Sequence, residues 1–153
     1  MSDTKLQLIS QVFRDGATIP IQYTCKGQNV NPPLNIMAVP SGTKSLALVL
    51  HDPDAPPGDY THWVLWDIPT STETISVNSL PVGVVQGVNS AGENAYMGPC
   101  PPRGTGIHRY KFELYALDKT LSLPKNSGRE QLEKAMKNHV IGHNTLTGVF
   151  GVD

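Results

Sequence analysis

The run Ser45-Leu46-Ala47-Leu48-Val49-Leu50-His51-Asp52, followed after the connection 53–61 by His62-Trp63-Val64-Leu65-Trp66-Asp67-Ile68, decides the fold. Within Leu46–Leu50 and Trp63–Trp66 residues of both parities are apolar. A strand apolar on both faces is a central strand covered on both sides. Trp63 and Trp66 are therefore expected to fill the core on opposite faces of one sheet. Working outward, further strands are read near Leu6–Val12, Val82–Val88, His108–Leu117 and Thr145–Phe150. In His108–Leu117 the residues His108, Tyr110, Phe112, Leu114 and Ala116 share one face, and Arg109, Lys111 and Glu113 the other. The 14 glycines and 13 prolines punctuate the chain between these short runs. One segment reads as helical. Ser127 followed by Glu130 has the form of a capping box. Leu132, Ala135, Met136 and His139 then recur at helical spacing, and Gly142 is the expected stop. The expectation is a mostly β protein, an antiparallel β-sandwich with one short helix near the C-terminus, as a single domain over residues 1–153.

Composition narrows the function. A chain of 153 residues with 39% hydrophobic content can bury a core. A net charge of −1 with no basic run excludes the clustered Lys/Arg footprint of a nucleic-acid binder. No apolar run reaches the length of a signal peptide core or a membrane helix, so a cytoplasmic protein without stable membrane insertion is expected. Cys25 and Cys100 are too few for a disulfide scaffold and lack zinc-like spacing. Two free thiols are expected in a reducing cytosol, with a Cys25–Cys100 disulfide as the alternative.

Chemistry-bearing residues gather where loops meet strands. If the strands ending at Asp52 and starting at His62 are antiparallel neighbours, both residues stand at one rim of the sheet. His108 joins them if its strand runs parallel to that of His62. Two imidazoles with a carboxylate can hold an anion, orient one another or bind a divalent metal. Gly104 and Gly106 would let backbone amides approach an anion. His51 alternates to the face opposite Asp52 and is read as structural. His139 and His143 flank the helix end and are read as capping it. Tyr110 is read as core packing or pocket wall, and Arg103 and Arg109 as solvated, able to guide an anion to the rim. Neither a Gly-x-Ser-x-Gly nucleophile turn nor a His-Glu-x-x-His metal helix is present.

Several segments carry a resemblance: Asp52-Pro53-Asp54-Ala55-Pro56; His62-Trp63-Val64-Leu65-Trp66-Asp67-Ile68-Pro69; and Gly98-Pro99-Cys100-Pro101-Pro102 leading into Gly106-Ile107-His108-Arg109-Tyr110. Phe13-Arg14-Asp15-Gly16, Tyr23-Thr24-Cys25 and Asn31-Pro32-Pro33-Leu34 add to it. Together they resemble the phosphatidylethanolamine-binding protein family, also called Raf kinase inhibitor-like, in its compact bacterial and archaeal branch. The resemblance implies a β-sandwich with an anion pocket at one end. By position, Asp52, Asp54, His62, His108 and Tyr110 would form that pocket, with the Gly98–Pro99 backbone as part of its wall. It implies a cis peptide at Ala55–Pro56 and a homodimer through a sheet edge or loop face. Family ligands are phosphate-like groups, including phosphoethanolamine headgroups. No tyrosine-bearing helix follows Gly151, so kinase signalling and acyl-chain binding are not expected to carry over.

The functional expectation is a non-catalytic module holding a phosphate-like or carboxylate anion between His62 and His108, with no metal and no cofactor. Asp52 would orient an imidazole or meet a ligand ammonium. Affinity would fall as the imidazoles lose their protons. The alternative is a serine protease or kinase inhibitor acting through a stiff loop, Ala55–Asp59 or Pro99–Arg103. A hydrolase with a His/Asp base or a bound metal ranks last.

Overall fold

The computed structural model describes residues 5–152. Its elements are β1 (Gln7–Ile9), β2 (Leu34–Met37), β3 (Ser45–Asp52), β4 (Tyr60–Ile68), β5 (Thr74–Ile75), β6 (Val85–Gln86), β7 (Ile107–Leu117), α1 (Arg129–Met136) and β8 (Val140–Gly151). Strands β6-β4-β3-β7-β8 form one antiparallel sheet, and β1-β2-β5 a smaller second one. The apolar parity of each strand explains the layering. Leu46, Leu48, Leu50, Trp63, Leu65, Phe112 and Leu114 pack inward against Leu8, Leu34 and Ile36 of the small sheet. Ala47, Val49, Val64 and Trp66 face outward and are covered by Leu132 and Met136 of α1. Both faces of the sheet are therefore covered at β3 and β4, and β3 is buried over its whole length. Trp63 and Trp66 lie in opposite layers, as expected.

Several local expectations need correction. β2 and β5 were not anticipated, β1 and β6 are shorter than read, and β8 begins earlier, at Val140. The helix starts one residue later than the Ser127 reading. Gly128 is its N-cap, and its N–H donates to Gln131 Oε1 at 2.9 Å. Ser127 instead closes a turn, donating its N–H to Pro124 O. The helix ends at Met136, and Asn138 takes the left-handed conformation (φ 69°) that reverses the chain, a role Asn tolerates. Gly142 and His143 lie inside β8. His143 stacks on Tyr115 and bonds Glu113, and His139 pairs with Asp118, so neither ring caps the helix.

The Ala55–Pro56 peptide is trans, as are all peptide bonds of the described residues. Pro56 occupies the second position of a turn closed by Gly58 N–H to Ala55 O at 2.9 Å, where a trans proline fits. The cysteines are not free thiols. Cys25 N–H donates to Pro99 O at 3.1 Å, which lays the two segments side by side. With Cα atoms 5.3 Å apart, Cys25 and Cys100 are joined in a disulfide.

Candidate functional site

β3 pairs antiparallel with both β4 and β7, so the end of β3 and the starts of β4 and β7 share one rim. His108 Nδ1–H donates to Asp52 Oδ2 at 2.7 Å across that rim. Asp52 Oδ1 accepts the Asp54 N–H at 2.8 Å. His108 Nε2 lies 2.8 Å from Thr105 Oγ1, whose hydroxyl donates to the Pro102 carbonyl at 2.6 Å. Both ring nitrogens of His108 are thus committed to the protein. This corrects the expectation of an anion gripped directly by two histidines, because His108 keeps no N–H free for it.

His62 reaches the rim by a different route. Leu50 pairs with Trp63 but His51 pairs with Thr61, so His62 is the extra residue of a β-bulge. Simple alternation from the inward Trp63 would turn His62 outward. The bulge re-aims it to the side of Asp52 and Tyr110, a frequent use of bulges beside sites. His62 Nδ1–H donates to Met97 O at 2.7 Å, leaving Nε2 without a partner among the described residues. The ring is held edge-on between Tyr60 and Tyr110, at centroid distances of 5.1 and 5.4 Å. Burial pushes its pKa below the ordinary value, against the opposing Met97 bond and the Asp52 charge.

Tyr110 is fully buried. Its hydroxyl is the buried side-chain polar atom with no hydrogen-bond partner among the described residues. Desolvation first, and then the Asp52 carboxylate, push the phenol pKa up, so at neutral pH the hydroxyl keeps its proton and can donate it to an acceptor. Leaving such a group unpaired costs about 1–3 kcal/mol, which a suitable ligand would recover.

These groups line a cavity of about 260 Å³. Ala55, Pro56 and Pro57 form one wall, Cys100, Pro101 and Pro102 the other, and Tyr60 and Met97 complete it. The polar atoms are few and deep, and the mouth is apolar. Asp54, Gly98 and Pro99 stand outside this lining. Asp54 faces outward and clamps Arg109 through Oδ1 (Nη2, 2.8 Å) and Oδ2 (Nε, 2.9 Å), which holds its carboxyl down at about 2. Arg109 is therefore engaged rather than freely solvated. The Gly98 N–H is taken by Asn29 Oδ1 at 2.8 Å, and a Cβ on Gly98 would collide with the Tyr23 carbonyl. Gly98 and Pro99 thus pack the loop onto the Cys25 segment from behind. Tyr60, Met97 and Thr105 were not singled out from sequence. The β-rich run around Tyr60 is a weak signal for the first, and nothing local marks the other two.

On the outer face His51 joins a separate network. Nδ1 bonds Asp59 Oδ1 and Nε2 bonds Glu113 Oε2, both at 2.7 Å. Asp59 also accepts from Arg129 Nη1 at 2.9 Å. Burial pushes His51 down, but the two carboxylates outweigh it and its pKa is raised. Glu113 is held at about 2 by hydrogen bonds from His51, Thr145 and His143.

Comparison with known proteins agrees with this architecture. The phosphatidylethanolamine-binding protein family model matches residues 9–151, and the chain belongs to that family. A UPF0098 protein of Pyrococcus horikoshii is 45% identical over 148 residues, covering 93% of this chain and 75% of the relative. The crystal structure of CT736, a phosphatidylethanolamine-binding protein homologue from Chlamydia trachomatis, superposes with a TM-score of 0.92 at 39% identity, over 97% of this chain and 99% of that one. E. coli YbcL, described as a member of the mammalian family, gives a TM-score of 0.91 at 29% identity, over 98% of this chain and 100% of that one.

Proposed function

We propose that this protein is a non-catalytic binding module for a small oxyanion of the phosphate-monoester or carboxylate class, held at the bottom of the cavity by Tyr110 and His62. The supporting observation is the buried Tyr110 hydroxyl, which has no partner among the described residues, beside a His62 Nε2 that likewise has none. The Asp52–His108 pair acts as a positioning unit behind them. Burial holds the His62 pKa below its ordinary value, so an anion that favours the imidazolium would draw in a proton as it binds near neutral pH. The cavity lies just below the range of about 300–1,000 Å³ usual for drug-sized ligands, which favours a phosphoethanolamine-sized headgroup over a longer molecule. Its apolar mouth suits a ligand with one charged end.

Calorimetric titration with inorganic phosphate and with phosphoethanolamine, in two buffers of different ionisation enthalpy, tests this. Expected are net proton uptake on binding and affinity that falls as pH rises above the depressed His62 value. The groups facing that ring are Asp52, His108, Tyr60 and Tyr110. Tyr110→Phe should weaken binding about tenfold, the worth of one hydrogen bond to a charged group. Absence of binding by both probes to the native protein would sink the reading.

The alternative proposal, inhibition of a serine protease or kinase, draws support from the run Pro102–Ile107, exposed throughout and pinned at its base by the disulfide. Inhibition that survives His62→Gln would favour it. A homodimer is a further proposal, tested by solution mass. No helix of the described residues is long and apolar enough to cross a membrane. A cytoplasmic location is likewise a proposal, and the disulfide weighs against it, since such bonds persist mainly in oxidising compartments. Alkylation of thiols in intact cells decides the redox state.

A further inference from the structure

We propose that the Cys25–Cys100 disulfide is a thiol-exchange site whose opening by a dithiol unlocks the wall of the cavity. Cys100 is exposed and Cys25 half-buried, so an incoming thiolate meets the Cys100 side first. Cys100 also lines the cavity, together with Pro101 and Pro102, the next two residues of the chain. Upstream, Gly98 and Pro99 are anchored by backbone bonds to Asn29 and Cys25. Downstream, outside the strand ladders, the loop as far as β7 has one hydrogen bond to the rest of the described residues, between His108 Nε2 and Thr105 Oγ1. The disulfide is its other tether. The relay from Pro102 O through Thr105 to His108 Nε2 connects movement of this wall to the Asp52–His108 pair.

The exchange balances without a further reactant. One thiolate of the dithiol attacks Cys100 Sγ, the protein S–S bond breaks, and Cys25 leaves as a thiolate that takes a proton from water. The second thiol of the reagent then displaces Cys100 from the mixed disulfide. The products are two protein thiols and an oxidised cyclic disulfide. In the reduced form the wall 100–106 keeps its anchored ends, the burial of Pro101 and the Thr105–His108 bond but loses its covalent tether, so fewer molecules hold the cavity closed. Apparent affinity falls with the competent fraction, by roughly tenfold if one molecule in ten keeps the wall in place. This effect on the ligand rests on the anion-pocket reading, whereas the opening of the loop does not.

The experiment treats native protein with dithiothreitol without denaturant. It follows the thiols by alkylation and mass spectrometry, the His62 and His108 ring resonances by NMR, and phosphoethanolamine affinity by calorimetry. Expected are two thiols in a protein whose β3 and β7 amides stay protected, a displaced His108 resonance, weaker binding, and reversal on reoxidation. Cysteines that stay oxidised until the whole protein unfolds would overturn the proposal. So would a reduced protein with unchanged His108 resonances. If neither redox form binds phosphoethanolamine, the anion reading fails, while the His108 resonances still decide the latch. The double variant Cys25→Ser/Cys100→Ser should match the reduced form; should it fail to fold, the reduction series on the native chain stands by itself.

Discussion

The two loops that wall the cavity are stiffened by different physics. The loop between β3 and β4 is held by charge: Asp54 on Arg109, and Asp59 on both His51 and Arg129. The loop leading into β7 is held by a covalent bond between Cys25 and Cys100. Prolines line the cavity on both sides, so local chain stiffness is similar, and the difference lies in the anchors. Ion pairs respond to protons and salt, whereas a disulfide responds to thiols. One cavity therefore has two walls that fail under different conditions.

The largest effect should come from breaking the covalent wall. The bond spans 75 residues of sequence, and releasing a loop of that length costs about 4 kcal/mol in chain-entropy terms. Thermal melts of Cys25→Ser/Cys100→Ser against the oxidised native protein should show it, as a fall in Tm of roughly 10 °C. A change of a degree or less would mean that the backbone contacts at Gly98 and Pro99 already suffice.

A smaller effect is expected from the charged wall. His51→Ala leaves Glu113 and Asp59 facing an unfilled, partly buried space, at a cost of about 2 kcal/mol near neutral pH. The raised His51 pKa stabilises the fold fully below its ordinary value of 6.5, and that contribution fades as pH rises through the raised value. Glu113 works in the other direction. Its contribution is present above 4.5 and is lost as pH falls toward about 2. Denaturant melts across pH should give a stability plateau between these limits, and His51→Ala should flatten its alkaline side. An unchanged alkaline limb would show that His51 is not the titrating group.

The smallest effect is expected at the exposed end of the same wall. Arg109→Ala should barely move the melting temperature, because an ion pair at the surface contributes little to stability. It should nevertheless let the Asp54 carboxyl climb from about 2 toward its ordinary 3.8, as read by NMR titration. An Asp54 pKa that does not move would place its stabilisation in the backbone rather than in the guanidinium.

Much of this architecture was legible in the chain, for a reason visible in particular residues. Leu46–Leu50 and Trp63–Trp66 are apolar on both parities, and that pattern is what a sheet dry on both faces requires. β2 and β5 escaped because Leu34-Asn35-Ile36-Met37 and Thr74-Ile75 are too short to carry a period; each is a strand through its neighbours. The helix was found through Leu132 and Met136, whereas its ends were misplaced. Ser127 and Gly142 are plausible stops that competing turn and strand contacts claimed. At the site, Asp52 and His108 share a rim on the condition that their strands run as they do, and the 2.7 Å contact itself is a finding of the structure. Tyr110 could be placed on the His108 face by alternation, but not its missing partner.

The sequence by itself determined which strands are central, which residues of β7 share a face, and which polar residues stand at strand ends, because these depend on parity and chain direction. Only the tertiary structure decided three matters. The bulge at His62 turns that ring inward against its own alternation. Thr105 occupies the second nitrogen of His108 and takes it away from any ligand. The approach of Pro99 to Cys25 brings two distant cysteines within bonding reach. Each depends on how separate segments register against one another in space, which no periodicity within a single segment encodes.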